Sequence, residues 1–375
     1  MAIRFGVLST YPTTQCGIAT FTQALVTHLE LGGAEVGVVR LVDAAQPDSA
    51  PVVDQLVIGA PGSAAAAASV LNSYDVAMIQ HEYGIFGGPD GADVLDVVAR
   101  VHVPMIAVLH TVLTKPTRHQ HEVLGELVAA MSAVVTMTET ARQRLIQGWR
   151  VSPSKVSVIT HGAVDNRIDL GMQATGGTPT ILTWGLLGEG KGIEWALRAM
   201  PGLSTLHRPP IYRIVGETHP RVVEREGEAY RNRLISLTRT LNLTARVQFD
   251  GRYLDGDSLR RVVRSADIIL LPYDSKEQVT SGVLTEAVAA GKPIVSTRFP
   301  HAVELLAGGA GLLVPQRDPA AIRDALRRVL TEPGLAASMS AASRSLANDL
   351  LWPTVADRYI ALGRAVAVAR QLSVA

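Results

Sequence analysis

The hydrophobic pattern predicts an α/β protein made of two doubly wound halves. Three observations carry that reading. Short apolar, β-branched runs such as Ile268-Ile-Leu-Leu271 alternate with helical periodicity, as buried parallel strands alternate with helices. Most of these runs end in polar or glycine-rich turns, at the strand carboxyl ends where open α/β sheets keep their ligands. Past the midpoint the pattern starts again with a strand over Thr180–Trp184, a glycine-rich turn and a helix. At 375 residues the chain has room for two domains of common size.

Composition narrows the classes. Hydrophobic content of 47 % and a formal net charge of +1 describe a soluble globular protein with no long-range pull on nucleic acid. The single cysteine, Cys16, excludes a disulfide framework and fits a reducing, cytoplasmic setting. No apolar run is long enough to span a bilayer, and Met1-Ala-Ile-Arg-Phe5 leads straight into a strand, so no signal peptide is expected.

In the first half the strand Ile3–Leu8 runs into a polar loop ending at Gly17, which opens a helix to Leu31 with Phe21, Leu25 and Leu29 on one face. Gly17 stands where a doubly wound sheet receives a phosphate or sugar, although a glycine there can also serve close helix–sheet packing. A strand over Val36–Val42 and a helix over Gly62–Leu71 follow. The strand Tyr74–Gln80 ends in His81-Glu82-Tyr-Gly-Ile-Phe-Gly-Gly88, and Val103–Leu109 ends in His110-Thr111. One such histidine is commonly structural; two at neighbouring strand tips point to a cleft position. Ser132–Thr136 and Val156–Thr160 complete a sheet of six or seven strands. Arg142, Arg144, Trp149 and Arg150 form a basic helix with one aromatic, which suits either weak contact with an anionic membrane surface or a solvated face with a packed tryptophan.

Asp169–Pro179 is glycine-rich and aperiodic and reads as the linker, giving domains over 1–170 and 171–350 and a terminal helix over 351–375. The second half opens with Gly185-Leu-Leu-Gly-Glu-Gly-Lys191-Gly192, where a lysine ammonium can meet a phosphate. This is not a P-loop, because Gly192 follows the lysine. Strands over Ile211–Val215 and Arg246–Phe249 end in Gly216-Glu-Thr-His-Pro220 and Asp250-Gly-Arg252-Tyr253.

The centre of the pattern is Leu270–Thr297. Ser281 can cap a helix over Val283–Ala290, Gly282 lets a ligand approach the backbone, and Gly291 stops the helix in the left-handed conformation. Free N–H groups at that start, beyond a parallel strand, suit an anion. Glu286, one turn in, suits a neutral donor such as a ribose hydroxyl pair. An ordinary αβ unit with a solvated glutamate reads the same way. No Ser/His/Asp order, metal-ligand spacing or internal repeat is present.

In this order the motifs resemble the GT-B glycosyltransferases, and within them the retaining glycosyltransferase family 4 and its mannosyltransferase-like members. The resemblance runs through Cys16-Gly17-Ile-Ala-Thr-Phe21, His81-Glu82-Tyr-Gly-Ile-Phe86, Leu109-His110-Thr111, His161-Gly162, Trp184 to Gly192, Gly216 to Pro220, Thr280-Ser-Gly-Val-Leu-Thr-Glu286-Ala287, Ala290-Gly-Lys-Pro293 and Gly311 to Pro315. It implies two Rossmann-like domains facing across a cleft, with the terminal helix crossing back to the first, Trp352 its anchor. It implies that Lys191 neutralises the donor diphosphate, Glu286 takes the ribose hydroxyls, and the amides of Ser281, Gly282, Val283 and Leu284 hold phosphate or sugar. Gly17 and His110 would face the transferred sugar and the acceptor, with His81, Glu82 and Thr111 beside them and Gly216 and Tyr253 on the donor side. No metal or other cofactor is implied.

Two positions depart from the family pattern. Leu186 stands where an arginine is common, and Gln278, with Glu277 adjacent, stands where the first of two paired glutamates is usual. Gln278 still offers an amide to a sugar hydroxyl, and Arg252 and Arg298 are the two candidates to replace the missing cation, between which the sequence does not choose. The expected activity is metal-independent, retaining transfer of a sugar, mannose from GDP-mannose first and glucose from UDP-glucose second, to a hydroxyl of a glycan or small glycosyl acceptor. A nucleotide-sugar-binding protein without transferase activity is the rival reading. The sequence leaves oligomeric state open.

Overall fold

The computed structural model describes residues 2–167 and 177–374. The chain divides into two compact units, Met1–Gly162 with Trp352–Ala375, and Ala163–Leu351. The first unit thus closes at Gly162, ahead of the glycine-rich segment taken as the linker. Most of that segment lies outside the described residues.

Among the described residues, the first unit holds seven strands: β1 (Arg4–Ser9), β2 (Glu35–Val42), β3 (Val52–Val57), β4 (Val76–His81), β5 (Met105–Leu109), β6 (Ala133–Thr136) and β7 (Val156–Val158). Every pairing is parallel, in the order β3-β2-β1-β4-β5-β6-β7. The order reverses beside β1, so the β1 and β4 carboxyl ends flank the switch point where such sheets bind ligands. The strand β3 is not among the strands expected from sequence. It lies at the sheet edge, and its Val53 is exposed while Asp54 and Gln55 are half-buried, so its apolar run is too interrupted to stand out. The strand β7 ends at Val158, short of Thr160.

The helix Trp352–Val374 packs on this unit through Trp352, Val355, Ala356, Tyr359 and Ile360, a stripe of helical period that joins Phe5, Phe21 and Leu25 in one core. Two glycines let it close: a Cβ at Gly162 would lie 2.2 Å from the Trp352 ring, and one at Gly363 would lie 2.4 Å from Phe5.

The second unit carries, among the described residues, β8 (Thr180–Trp184), β9 (Ile211–Val215), β10 (Val247–Asp250), β11 (Ile268–Leu271), β12 (Ile294–Thr297) and β13 (Gly311–Val314). They form a parallel sheet in the order β10-β9-β8-β11-β12-β13, with the switch point between β8 and β11. Successive residues point to opposite faces, so Ile181 joins one core and Leu182 and Trp184 the other. Both faces are covered, as an all-parallel sheet requires. No helix among the described residues is long and apolar enough to cross a membrane.

The basic helix Glu139–Trp149 is tied into its own unit. Arg142 donates to the Val156 carbonyl at 3.2 Å and pairs with Glu139, Arg144 donates to the Val112 carbonyl at 3.0 Å, and Trp149 stacks on His121 with ring centres 4.8 Å apart. Trp149 is packed as the second alternative expects, while Arg142 and Arg144 are half-buried where that alternative places a solvated face, and of the four residues only Arg150 is exposed.

Candidate functional site

In the second unit the loops at the switch point are stitched together by backbone. The N–H of Leu187 donates to the Glu217 carbonyl and that of His219 to the Leu187 carbonyl, each at 2.8 Å. This runs the loop after β8 alongside the loop after β9. Gly216 makes the approach possible: its φ is +132°, and a Cβ there would lie 2.2 Å from the Gly185 carbonyl oxygen. On the other side the Asp274 N–H donates to the Gly190 carbonyl at 3.0 Å, and a Cβ at Gly192 would lie 2.0 Å from the Pro272 carbonyl oxygen. The lysine loop is therefore fixed from both sides.

Lys191 is half-buried, and its Nζ lies 4.3 Å from the centre of the Tyr273 ring. Tyr273 is buried and stacks on Phe299 with centroids 5.0 Å apart. The ammonium thus rests on an aromatic face, an electrostatic attraction of about 0.5–2 kcal/mol.

The helix Gly282–Ala289 begins at Ser281, whose hydroxyl accepts from the Leu284 N–H at 3.2 Å. The Gly282 and Val283 amides precede the first intrahelical bond and remain free of helical acceptors. They carry the positive end of the helix dipole, and the helix start lies against the loop after β8, since a Cβ on Gly185 would lie 3.5 Å from the Val283 side chain. Gly291, with φ of +67°, follows as the left-handed stop. His301 is buried, and its Nδ1 accepts the Ser281 backbone N–H at 2.9 Å. The Gln278 carboxamide donates to the Thr280 carbonyl, and the His301 N–H donates to the Gln278 carbonyl at 3.3 Å. Sequence reading passed over this use of His301, because a contact spanning twenty residues carries no local signal.

Glu286 retains some exposed surface, yet the surrounding atoms strip enough water from it to push its pKa up to about 7. A hydrogen bond from Trp184 works the other way, favouring the carboxylate. Arg252 is turned onto Asp250, with Nη2 2.7 Å from the carboxylate, and is otherwise largely solvent-exposed. Tyr253 beside it is exposed. The structure therefore brings Lys191, Gly216, Gln278, Ser281 to Leu284 and Glu286 to one end of the sheet, and places Arg252 and Tyr253 on the neighbouring loop after β10.

In the first unit the strand tips gather three histidines. His110 shares a hydrogen bond with Gln80 at 2.8 Å, His161 Nδ1 lies 2.7 Å from the Gly162 carbonyl, and both rings meet Phe21 edge-on at 4.9 Å. His81 is fully buried against Tyr83 and Phe86, with neither ring nitrogen hydrogen-bonded. It supports the wall and does not form its surface. Burial pushes all three histidines down, His81 and His161 to about 4 and His110 to about 3, so the rings are neutral. Glu82 accepts from the Thr111 hydroxyl and from the Tyr83 N–H at 3.0 Å. Gly17 is exposed, and a Cβ built on it meets nothing within 4 Å, so helix packing does not call for glycine there. Among the described residues no three His, Cys, Asp or Glu side chains gather as a metal-ligand set.

Residues 178–332 match the family model described as glycosyl transferases group 1. Glycogen synthase of Mycobacterium tuberculosis is 26 % identical over 268 residues, covering 68 % of this chain and 61 % of its own. D-inositol 3-phosphate glycosyltransferase of Corynebacterium diphtheriae is 26 % identical over 287 residues, covering 68 % and 64 %. The matched region thus spans about three fifths of these relatives' length. Among solved structures, sucrose-phosphate synthase of Thermosynechococcus elongatus shares the fold with a TM-score of 0.78 and 19 % identity, covering 98 % of this chain and 100 % of its own. An Anabaena protein in complex with UDP shares it with a TM-score of 0.73 and 17 % identity, covering both chains fully. The chain therefore has the two-sheet fold of the GT-B glycosyltransferases, and its residues 178–332 are similar to the glycosyl transferases group 1 family.

Proposed function

We propose that the protein is a retaining glycosyltransferase that moves a hexose from a nucleoside diphosphate sugar to a hydroxyl of a glycan or small glycosyl acceptor. One observation carries this reading. A lysine seated on an aromatic ring, a capped helix start with free amides and a carboxyl group bonded to Trp184 converge at one switch point, inside the segment that matches the family. Lys191 and the amides of Gly282 and Val283 meet the charge that builds on the leaving diphosphate. Glu286 accepts from the ribose hydroxyls. The acceptor hydroxyl adds to the anomeric carbon on the face the diphosphate leaves, and its proton passes to the departing phosphate oxygen, so no side-chain base is needed. Gly17, His110, Glu82 and Thr111 supply the sugar and acceptor contacts of the first unit. The reaction needs no metal, since the cation and the helix amides supply the positive charge. A reducing, cytoplasmic setting goes with this reading, in keeping with the single Cys16.

As donor we place UDP-glucose ahead of the GDP-mannose expected from the motifs alone. One relative is a glycogen synthase, and solved neighbours carry UDP or UDP-glucose. The rival reading, binding without transfer, rests on Leu186 and on Gln278, whose carboxamide is engaged with Thr280. Nucleoside diphosphate release from UDP-glucose, GDP-mannose and ADP-glucose, with EDTA and with a panel of glycosyl acceptors, separates them. Transfer predicts acceptor-stimulated release that survives EDTA, with UDP-glucose leading. Binding of a nucleotide sugar with no release under any acceptor contradicts it.

A further inference from the structure

A diphosphate carries more negative charge than one ammonium neutralises, and the loop after β9 brings a second donor to the lysine loop. His219 is half-buried and fixed by backbone: its own N–H donates to Leu187 at 2.8 Å, in the same stretch where Leu187 donates to Glu217. Its ring is fixed as well. Nδ1 accepts the Arg221 N–H at 3.2 Å, so in this geometry the ring proton sits on Nε2.

The surroundings hold the ring in that neutral form. Burial and the charges of Arg221, Lys191 and Arg225 lower its affinity for a proton, against a smaller opposing effect from Glu224. Glu189, on the lysine loop, is drawn away to Arg233 at 2.8 Å. Thr218, next in the chain, is hydrogen-bonded to Glu228. The site therefore holds an N–H donor of fixed tautomer in a field to which Lys191, Arg221 and Arg225 contribute positively and which Glu224 opposes, with the Glu189 carboxylate of the lysine loop paired to Arg233.

We propose that His219 is a second ligand for the donor diphosphate, donating its Nε2–H to a phosphate oxygen while Lys191 supplies the charge. The nucleotide part of this proposal rests on the function proposed above; the anion part does not.

The test uses inorganic pyrophosphate alongside UDP-glucose and GDP-mannose, titrated calorimetrically into the full chain. His219→Gln keeps a donor near Nε2 and loses the Nδ1 acceptor; His219→Asn keeps the acceptor and loses the donor. A ligand role predicts that Asn weakens pyrophosphate and nucleotide sugar by about tenfold to a hundredfold and that Gln restores most of it. A purely structural capping role predicts the reverse, rescue by Asn and not by Gln, and overturns the proposal. Failure of wild-type protein to bind pyrophosphate also overturns it. Pyrophosphate binding that follows the predicted pattern, with no nucleotide sugar bound at all, upholds the anion ligand and contradicts only the donor reading.

Discussion

The Lys191 ammonium lies 4.3 Å above the Tyr273 ring, and that ring is itself stacked on Phe299. A flexible side chain is thereby held at the loop where the diphosphate is proposed to leave. Phenylalanine would preserve the aromatic face and remove a buried hydroxyl that has no hydrogen-bond partner in the structure. Tyr273→Phe is therefore expected to keep kcat and to leave the melting temperature equal or higher. Tyr273→Leu should lower kcat by up to about tenfold, the worth of a cation–π contact. Equal kcat in all three proteins would show that the ring does not position the lysine.

Gly17 opens the helix Gly17–Leu31 with open space where a side chain would go. Alanine there relieves a helix cost of up to about 1 kcal/mol and meets no clash. Gly17→Ala should melt at or slightly above the wild-type temperature while losing at least about tenfold in turnover, because a methyl group occupies the space proposed for sugar or acceptor. Unchanged turnover would remove Gly17 from the site.

The pKa of Glu286, pushed up to about 7, has consequences for stability and for binding. Between the unfolded value of 4.5 and the folded value, the folded protein binds the extra proton, so stability falls as pH rises through that window and is level above it. Glu286→Gln should therefore raise the melting temperature at about pH 8, by an amount corresponding to at most ~3 kcal/mol, and do little at about pH 4. Donor affinity should move the other way in wild type and strengthen as the carboxylate forms through pH 7. Melting and binding curves across that range check both signs.

The three histidines of the first unit give the opposite slope. Their folded values of about 3 to 4 lie below the unfolded value of 6.5. Below 6.5 the unfolded chain takes up protons that the folded unit refuses, so stability is full above that pH and is lost as pH falls toward 4. Acid titration followed by circular dichroism should show this loss, and His81→Gln should flatten it. A wild-type curve level from pH 6.5 to 4 would mean that these rings are more hydrated than the packing indicates.

Local chemistry was legible in the sequence and distant contacts were not. Ser281 as cap, Gly291 as left-handed stop and the strand–loop–helix restart at Thr180 follow from near-neighbour rules, and the structure has each of them. The sheet order places Gly17, His81 and Lys191 beside strand ends at or next to switch points, as the doubly wound pattern requires. The partners of these residues escaped notice, because Trp184 meets Glu286, and Lys191 meets Tyr273, only after β8 and β11 pair. The edge strand β3 escaped for a different reason, its half-solvated alternation. Arg252, read as a spare cation, is taken up by Asp250, which stands two residues before it.

The most direct test of the central claim compares Lys191→Ala with Glu286→Ala in steady-state transfer from the donor that wild type uses. Lysine is proposed to meet charge that appears as the diphosphate leaves, so its loss should fall on kcat by about 10²–10³. Glu286 is proposed to hold a ribose whose bonding does not change during the reaction. Its loss should raise donor KM by about tenfold to a hundredfold with a smaller effect on kcat. A Lys191→Ala enzyme with near-normal kcat, or a Glu286→Ala enzyme with unchanged donor KM, would contradict the assignment of diphosphate and ribose to this switch point.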